Sequence, residues 1–158
     1  MVEQLTGDLS QSPAQRNTRF DLYHAGIPWI REIGIIGKSY PNVWLNLCWV
    51  HIISQKLAVA ALDEWLDLVP YNKIIGFGGD YGKPVEKVFG HLEMAREDIA
   101  EVLAGRVAAG YFGEDEALRI ARAWLFDNPN ELYSLKVQQR SSAMECLSIR
   151  ISQMTREA

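Results

Sequence analysis

The stretch IIGFGGDYG, residues 74–82, is an apolar run that ends in glycines and an aspartate. A short apolar run bounded by turn-forming residues is typical of a buried strand. Side chains alternate across a strand, so Gly76, Gly78 and Asp80 are expected on one face, where the two glycines leave space beneath the carboxylate. Repeated glycine in a strand often marks the close approach of a ligand or another backbone. Asp80 is therefore expected either to cap the next helix or to belong to a site at the strand end.

Three strands of this kind alternate with helical patterns along the chain. The strands are predicted at Arg19–His24, Asn42–Trp49 and Lys73–Gly79. The helices are predicted from Pro28 through Ile36, from the N-cap Ser54 to a stop at Pro70, from Pro84 to Ala109, and from Glu114 to Phe126. This alternation predicts parallel βαβ units, whose strands are covered on both faces.

Composition and charge indicate one ordinary globular domain. The 158 residues are 48% hydrophobic and 23% charged, and sixteen basic against twenty acidic residues leave a net charge of -4. Without a cluster of basic and aromatic residues, nucleic acid is not an expected partner. The longest apolar runs fall short of the ~20 residues that span a bilayer, and Glu3 and Asp8 near the N-terminus are unlike a signal peptide. The chain is therefore expected to be cytoplasmic, with no membrane partner.

The two cysteines are expected to be structural. Cys48 and Cys146 lie far apart and in no Cys-x-x-Cys arrangement, so neither a disulfide framework nor a zinc ribbon is indicated. Free cysteine commonly behaves as a small core hydrophobe, and both residues are therefore predicted to be buried thiols.

Candidate chemistry lies at the carboxyl ends of the predicted strands, where ligands of parallel α/β folds gather. One end carries His24, the next carries the segment Cys48–His51, and the third carries Asp80. An imidazole and a carboxylate placed together suit metal-assisted chemistry, in which histidine ligates a divalent ion and aspartate ligates it or takes a proton from its bound water. The structural alternatives are a helix cap at Asp80 and a hydrogen-bonded core residue at His24.

Four further residues near these ends are candidate substrate contacts. They are Trp29, Arg31, His51 and Tyr81. Each also has a structural interpretation: core packing for Trp29, a solvated helix end for Arg31, and a surface loop for His51.

Taken together, the motifs resemble the C-terminal part of the amidohydrolase superfamily, in its amidohydrolase-related, uronate isomerase-like branch. The resemblance rests on the order of five segments: Phe20–Gly26 with Pro28-Trp29, Tyr40–Asn46, Ile75–Asp80, Glu116–Ala121 and Asn128–Tyr133. It implies an α/β fold that is the C-terminal segment, about three βα units, of a TIM-type (β/α)₈ barrel. Residues 16–135 are then the partial barrel, after an irregular lead over 1–15 and before a polar tail over 136–158, in which one candidate helix lies around Met144 to Ile151.

The resemblance also implies a function and a cofactor. His24 matches the histidine that ends the sixth strand in that family, and Asp80 matches the aspartate that ends the eighth. By this likeness His24 and Asp80 bind a divalent metal, with zinc favoured over manganese or iron. Asp80 is also the general base that handles the proton of the metal-activated water. The implied enzyme is a metal-dependent hydrolase that acts on a small-molecule substrate.

The metal-binding His-x-His of that family's first strand has no counterpart here. The chain is therefore expected to be the C-terminal portion of a larger enzyme, complemented by the other barrel half or by a homo-oligomer. Two alternatives remain. The same site suits uronate isomerase-like or decarboxylase activity, and a truncated α/β module without catalysis would also retain these residues.

Overall fold

A computed structural model of the chain describes residues 18–82, 85–138 and 142–157, except for the side chains of residues 142–146. The strands are β1 Phe20–Leu22, β2 Val43–Asn46 and β3 Ile74–Ile75. The helices are α1 Ile30–Ser39, α2 Val50–Ile53, α3 Gln55–Leu68, α4 Val85–Ala108, α5 Glu114–Arg122, α6 Asn128–Leu132 and α7 Ser142–Glu157. Single 3-10 turns lie at His24–Gly26 and Tyr71–Lys73, and a π-helical segment, Ala123–Asp127, joins α5 to α6.

The three strands form one parallel sheet in the order β1-β2-β3. Phe20 pairs with Val43, and Leu45 of β2 pairs with Leu22 on one side and Ile74 on the other. Because the strands are parallel and in chain order, their carboxyl ends lie at the same edge of the sheet. The predicted strands are confirmed in position and direction, and this edge brings the candidate site residues together.

The predicted fold, a C-terminal segment of about three βα units of a TIM-type barrel, is wrong. About two thirds of the described residues are helical, and the sheet consists of strands of three, four and two residues. The strands end earlier than predicted, and His24 and Trp49, the last residues of the first two predicted strands, adopt left-handed backbone conformations with φ of 60° and 61°, which extended pairing does not accommodate. The architecture is a mostly helical α/β arrangement around a small sheet.

The core joins the sheet to a large helical layer. Leu45 and Ile74 of the sheet are fully buried together with Trp65 of α3 and Trp124 of the π-helical segment. The indole Nε1 of Trp65 donates to the carbonyl oxygen of Ile30 at 3.1 Å, which ties α3 to α1. Helix α4 packs against α3, α5 and α7. The contacts among these four helices are more extensive than their contacts with the sheet.

The segment predicted as a polar tail contains α7, which contributes Leu147 and Ile151 to the core. The predicted irregular lead over 1–15 lies outside the described residues. Across 18–82, 85–138 and 142–157, no helix has the length and apolar character needed to cross a bilayer.

Two helical glycines with opposite surroundings give a first prediction, on packing. A Cβ atom added at Gly37 of α1 would lie 3.0 Å from Cγ and Cδ1 of the buried Leu45, whereas one added at Gly105 of α4 would meet nothing within 4 Å. We expect Gly37→Ala to lower the free energy of unfolding by about 1–3 kcal/mol through overpacking. Gly105→Ala should raise it by about 0.5–1 kcal/mol, because alanine loses less backbone entropy in a helix. Urea unfolding measures both, and a comparable gain at Gly37 would contradict the packing described.

Candidate functional site

Three side chains of the types that can ligate a metal meet at the carboxyl edge of the sheet. His24 follows β1, Cys48 follows β2 and Asp80 follows β3. One ligand atom from each, a ring nitrogen, Sγ and a carboxylate oxygen, lies within 4.8 Å of the other two. The sequence predicted His24 and Asp80 at one site but interpreted Cys48 only as a buried thiol. Cys48 is buried, and it is also part of this cluster.

The imidazole of His24 is oriented by the backbone of Cys48. Its Nδ1 lies 2.9 Å from the carbonyl oxygen of Cys48, an atom that only accepts, so Nδ1 carries the proton and donates. The lone pair of the neutral ring is then on Nε2, which lies 3.9 Å from Oδ2 of Asp80. Metal-ligating histidines almost always donate their second ring nitrogen to such a partner.

The three donors fit a zinc ion. Zinc binds imidazole nitrogen, thiolate sulfur and carboxylate oxygen at about 2.0–2.3 Å in a tetrahedron, which places neighbouring ligand atoms about 3.5 Å apart. The 3.9 Å between His24 and Asp80 is close to that separation, and the 4.8 Å limit on the other pairs requires only side-chain movement of about 1 Å. His24 and Asp80 are about half exposed, so an ion could enter from solvent.

Strained backbone surrounds the cluster. His24, Trp49 and Asp80 have φ of 60°, 61° and 51°, although none is glycine. Such conformations cost of order 1–3 kcal/mol each and persist where the surrounding structure imposes them, often at functional sites. The Trp49 amide donates to the carbonyl oxygen of Gly78 at 2.9 Å, which joins the loop after β2 to the loop before Asp80.

Gly76 and Gly78, which precede Asp80, each lie in close contact with side chains from other segments. A Cβ atom at Gly78 would lie 2.9 Å from both Cβ and Sγ of Cys48, so the cysteine packs directly on the Cα of Gly78. A Cβ atom at Gly76 would lie 3.0 Å from Cβ of Trp124 and 3.1 Å from Cδ1 of Ile99. Gly76 is therefore a packing requirement of the core, whereas Gly78 allows Cys48 to approach the site.

The electrostatic environment of Cys48 is negative. Burial raises the pKa of its thiol to about 11, and the nearby carboxylates of Asp80 and Asp21 act in the same direction. The thiol is therefore protonated at neutral pH in the metal-free chain. The same two carboxylates that oppose a thiolate attract a cation.

A polar cleft adjoins the cluster. It has a volume of about 350 Å³ and is lined by residues that include Tyr23, Asn46, Cys48, Asp80 and Tyr133. Tyr133 donates to Oδ2 of Asp21, which also accepts from Nδ2 of Asn46 at 2.9 Å. Burial raises the pKa of Tyr133, and its hydrogen bond to Asp21 adds to that effect, so the phenol stays protonated. The cleft therefore presents the neutral phenol of Tyr133 beside the carboxylates.

Sequence reasoning did not identify Asp21, Asn46 or Tyr133 as site residues. The Oδ1 atom of Asn46 accepts from the Cys48 amide at 2.8 Å, so this network also supports the loop that carries the thiol. Asp21 and Asn46 lie within predicted strands that are otherwise apolar. A polar residue at such a position was the one sequence signal that could have marked them as site residues. Tyr133 is 112 residues from Asp21 along the chain, and no local pattern relates them.

The four predicted substrate contacts lie at different depths. Trp29 is exposed just before α1, and Arg31 is an exposed residue of α1 that binds both carboxylate oxygens of Glu64. Tyr81 follows Asp80 and shares a hydrogen bond with Nδ1 of His91. His51 is fully buried in α2 and does not lie in a surface loop. As substrate contacts these residues remain predictions.

His51 belongs to a buried polar network. Its Nδ1 lies 2.7 Å from Oδ2 of Asp98, and its Nε2 lies 2.8 Å from the carbonyl oxygen of Gly76. Gln55 donates to the other carboxylate oxygen of Asp98 at 3.0 Å. The network joins α2, α3 and α4 to the residue that follows β3, and so supports the segment that leads to Asp80.

A second contact supports the same segment from α4. Burial lowers the pKa of His91, and the charge of His51 adds to that effect, so His91 is neutral where it meets Tyr81. Phe77 packs against His91 with ring centroids 5.0 Å apart. The loop that carries Asp80 is thus held on both sides by buried residues.

Comparison with known proteins finds similarity to one much longer protein. No family model matches the chain, and no solved structure matches it. Protein fluG of Emericella nidulans is 30% identical over 126 residues. The aligned stretch covers 79% of this chain and 14% of fluG. The chain therefore spans a small part of the length of this curated relative.

Proposed function

We propose that the chain carries the site of a metal-dependent hydrolase of the amidohydrolase type, with His24 as a ligand of the ion and Asp80 as ligand and general base. One observation carries the proposal. The Cys48 carbonyl fixes the His24 ring so that its free Nε2 faces Oδ2 of Asp80 at 3.9 Å, at the carboxyl edge of a parallel sheet.

The chain's residues have separate parts in the chemistry. When bound, a divalent ion lowers the pKa of a coordinated water to about 7 and polarises the carbonyl group under attack. Asp80 accepts the proton of the attacking water on a carboxylate oxygen, since that carboxylate is half exposed and lines the cleft. The rings of Tyr23 and Trp49 lie 6.0 Å and 6.5 Å from the His24 ring, and in the proposal they form the walls against which a small-molecule substrate would pack.

A second prediction, on metal removal, tests the proposal. The full chain loaded with zinc is expected to hydrolyse 4-nitrophenyl acetate faster than the same chain treated with a chelator. The physical reason is that the ion supplies a nucleophile at neutral pH. Adding zinc back should restore the rate, which separates metal loss from damage to the protein.

The control is the zinc-loaded buffer without protein. Equal rates with and without zinc, in a chain that binds no zinc, would contradict the hydrolase and favour the non-catalytic module. Zinc binding without ester hydrolysis would favour the isomerase or decarboxylase alternative.

A further inference from the structure

We infer that Cys48 is a third ligand, so that this chain by itself supplies a thiolate-containing zinc site formed by His24, Cys48 and Asp80. The inference rests on the proposed function for the other two ligands and adds the sulfur donor. Each ligand follows a different strand of the sheet, so the site depends on the sheet's parallel order.

The position of the thiol results from close packing. Sγ of Cys48 lies within 4.8 Å of the ligand atoms of His24 and Asp80. It can lie there only because residue 78 has no side chain, since a Cβ atom would approach Sγ to 2.9 Å. The glycine thus has a specific role in admitting the sulfur.

The backbone of Cys48 is fixed from both sides. Its amide donates to Oδ1 of Asn46 at 2.8 Å, and its carbonyl oxygen accepts from Nδ1 of His24 at 2.9 Å. One residue therefore offers a ligand through its side chain and orients a second ligand through its carbonyl group. Asn46 is held in turn by Asp21 at 2.9 Å. Such outer partners are a usual feature of metal sites.

Charge and donor type select the ion. A thiolate and a carboxylate with a neutral imidazole balance the charge of a divalent cation, and coordination deprotonates a thiol outright. Thiolate and imidazole favour zinc, whereas magnesium, calcium and manganese prefer oxygen ligands. Among the metals predicted from the sequence, the sulfur donor therefore favours zinc over manganese.

The third prediction uses cobalt(II) as a spectroscopic probe of the zinc site in the full chain. We expect a near-ultraviolet sulfur-to-cobalt charge-transfer band that is lost in Cys48→Ser and kept in the matched control Cys146→Ser. Zinc affinity, measured by competition with a chromogenic chelator, should fall by about 100-fold in Cys48→Ser. Changing a residue that only supports a ligand costs about 10- to 100-fold in metal affinity, and loss of a ligand itself should cost at least as much as the upper end of that range.

A second pair of variants keeps the test valid if Cys48→Ser fails to fold. Gly78→Ala should displace Cys48 and weaken zinc binding by about tenfold, whereas Gly82→Ala, where an added Cβ atom meets nothing within 4 Å, should leave it unchanged. Cobalt bound to the unaltered chain without the sulfur band would overturn the inference, as would equal zinc affinity in Cys48→Ser.

The outcomes also separate this inference from the proposed function. A sulfur band without metal-dependent hydrolysis would support the ligand and refute the hydrolase. Metal-dependent hydrolysis without the sulfur band would support the hydrolase and refute Cys48 as a ligand.

Discussion

Replacing Asp80 by asparagine is expected to lower zinc-dependent ester hydrolysis by about 10²- to 10⁴-fold, the usual contribution of a general base. The amide has almost the same shape but does not accept a proton at neutral pH. Asp80 is half exposed and its Oδ2 lies 3.9 Å from Nε2 of His24, so little folding energy depends on its charge. Asparagine also tolerates the left-handed backbone at this position, where φ is 51°.

The measurement is kcat/KM for 4-nitrophenyl acetate at full zinc occupancy, with zinc content determined in parallel. Saturating zinc separates loss of the base from weaker metal binding, since Asp80 has both roles in the proposal. Asp115→Asn, at an exposed carboxylate in the first turn of α5, is the matched control; it should leave the rate unchanged and lower stability by no more than about 1 kcal/mol, through its interaction with the helix dipole. A rate for Asp80→Asn within a few-fold of the unaltered chain would remove Asp80 from the chemistry.

The meeting of His24 and Asp80 was predictable from sequence because it depends on strand order alone. Each follows an apolar run, and parallel strands bring their carboxyl ends to one edge. The extent of the sheet was not predictable in this way. An apolar run such as residues 42–49 continues past the end of β2, and nothing in its composition shows that Trp49 turns into a left-handed conformation.

The role of Cys48 depends on contacts between distant segments. A lone cysteine in an apolar run is most simply a core residue, and its burial agrees with that interpretation. Its place in the site depends on Gly78, thirty residues away, and on the carbonyl-to-imidazole hydrogen bond with His24. Gly76 and Gly78 looked equivalent in sequence. In the structure Gly78 leaves space for Cys48, whereas Gly76 leaves space for the core side chains of Trp124 and Ile99.

The buried pair of His51 and Asp98 shows the same limit. His51 looked like a loop residue near the site, and Asp98 looked like a polar residue of a long helix. Their contact joins residues 47 positions apart and brings Asp98 to an exposure of 2%. Charged residues are almost never buried to this extent unless they are paired. The pair therefore has a structural role, which a substitution can measure.

Asp98→Asn is expected to lower the free energy of unfolding by about 3–5 kcal/mol, the cost of breaking a buried ion pair on one side. Both ring nitrogens of His51 face acceptors, Oδ2 of Asp98 at 2.7 Å and the carbonyl oxygen of Gly76 at 2.8 Å. The carboxylate of Asp98 accepts from His51 and from Gln55. An amide has one oxygen for these two donors, so one buried donor is left without an acceptor.

The matched control is Glu64→Gln, the same carboxylate-to-amide change in the pair with Arg31. That pair lies at the surface, where solvent screens the charges, so its loss should be much smaller. Urea unfolding at pH 7 compares the two variants, with circular dichroism to show that each is folded at the start. Equal losses would mean that the His51–Asp98 contact is an ordinary hydrogen bond. A large loss confined to Asp98→Asn would instead show that a buried ion pair supports the residues leading to Asp80.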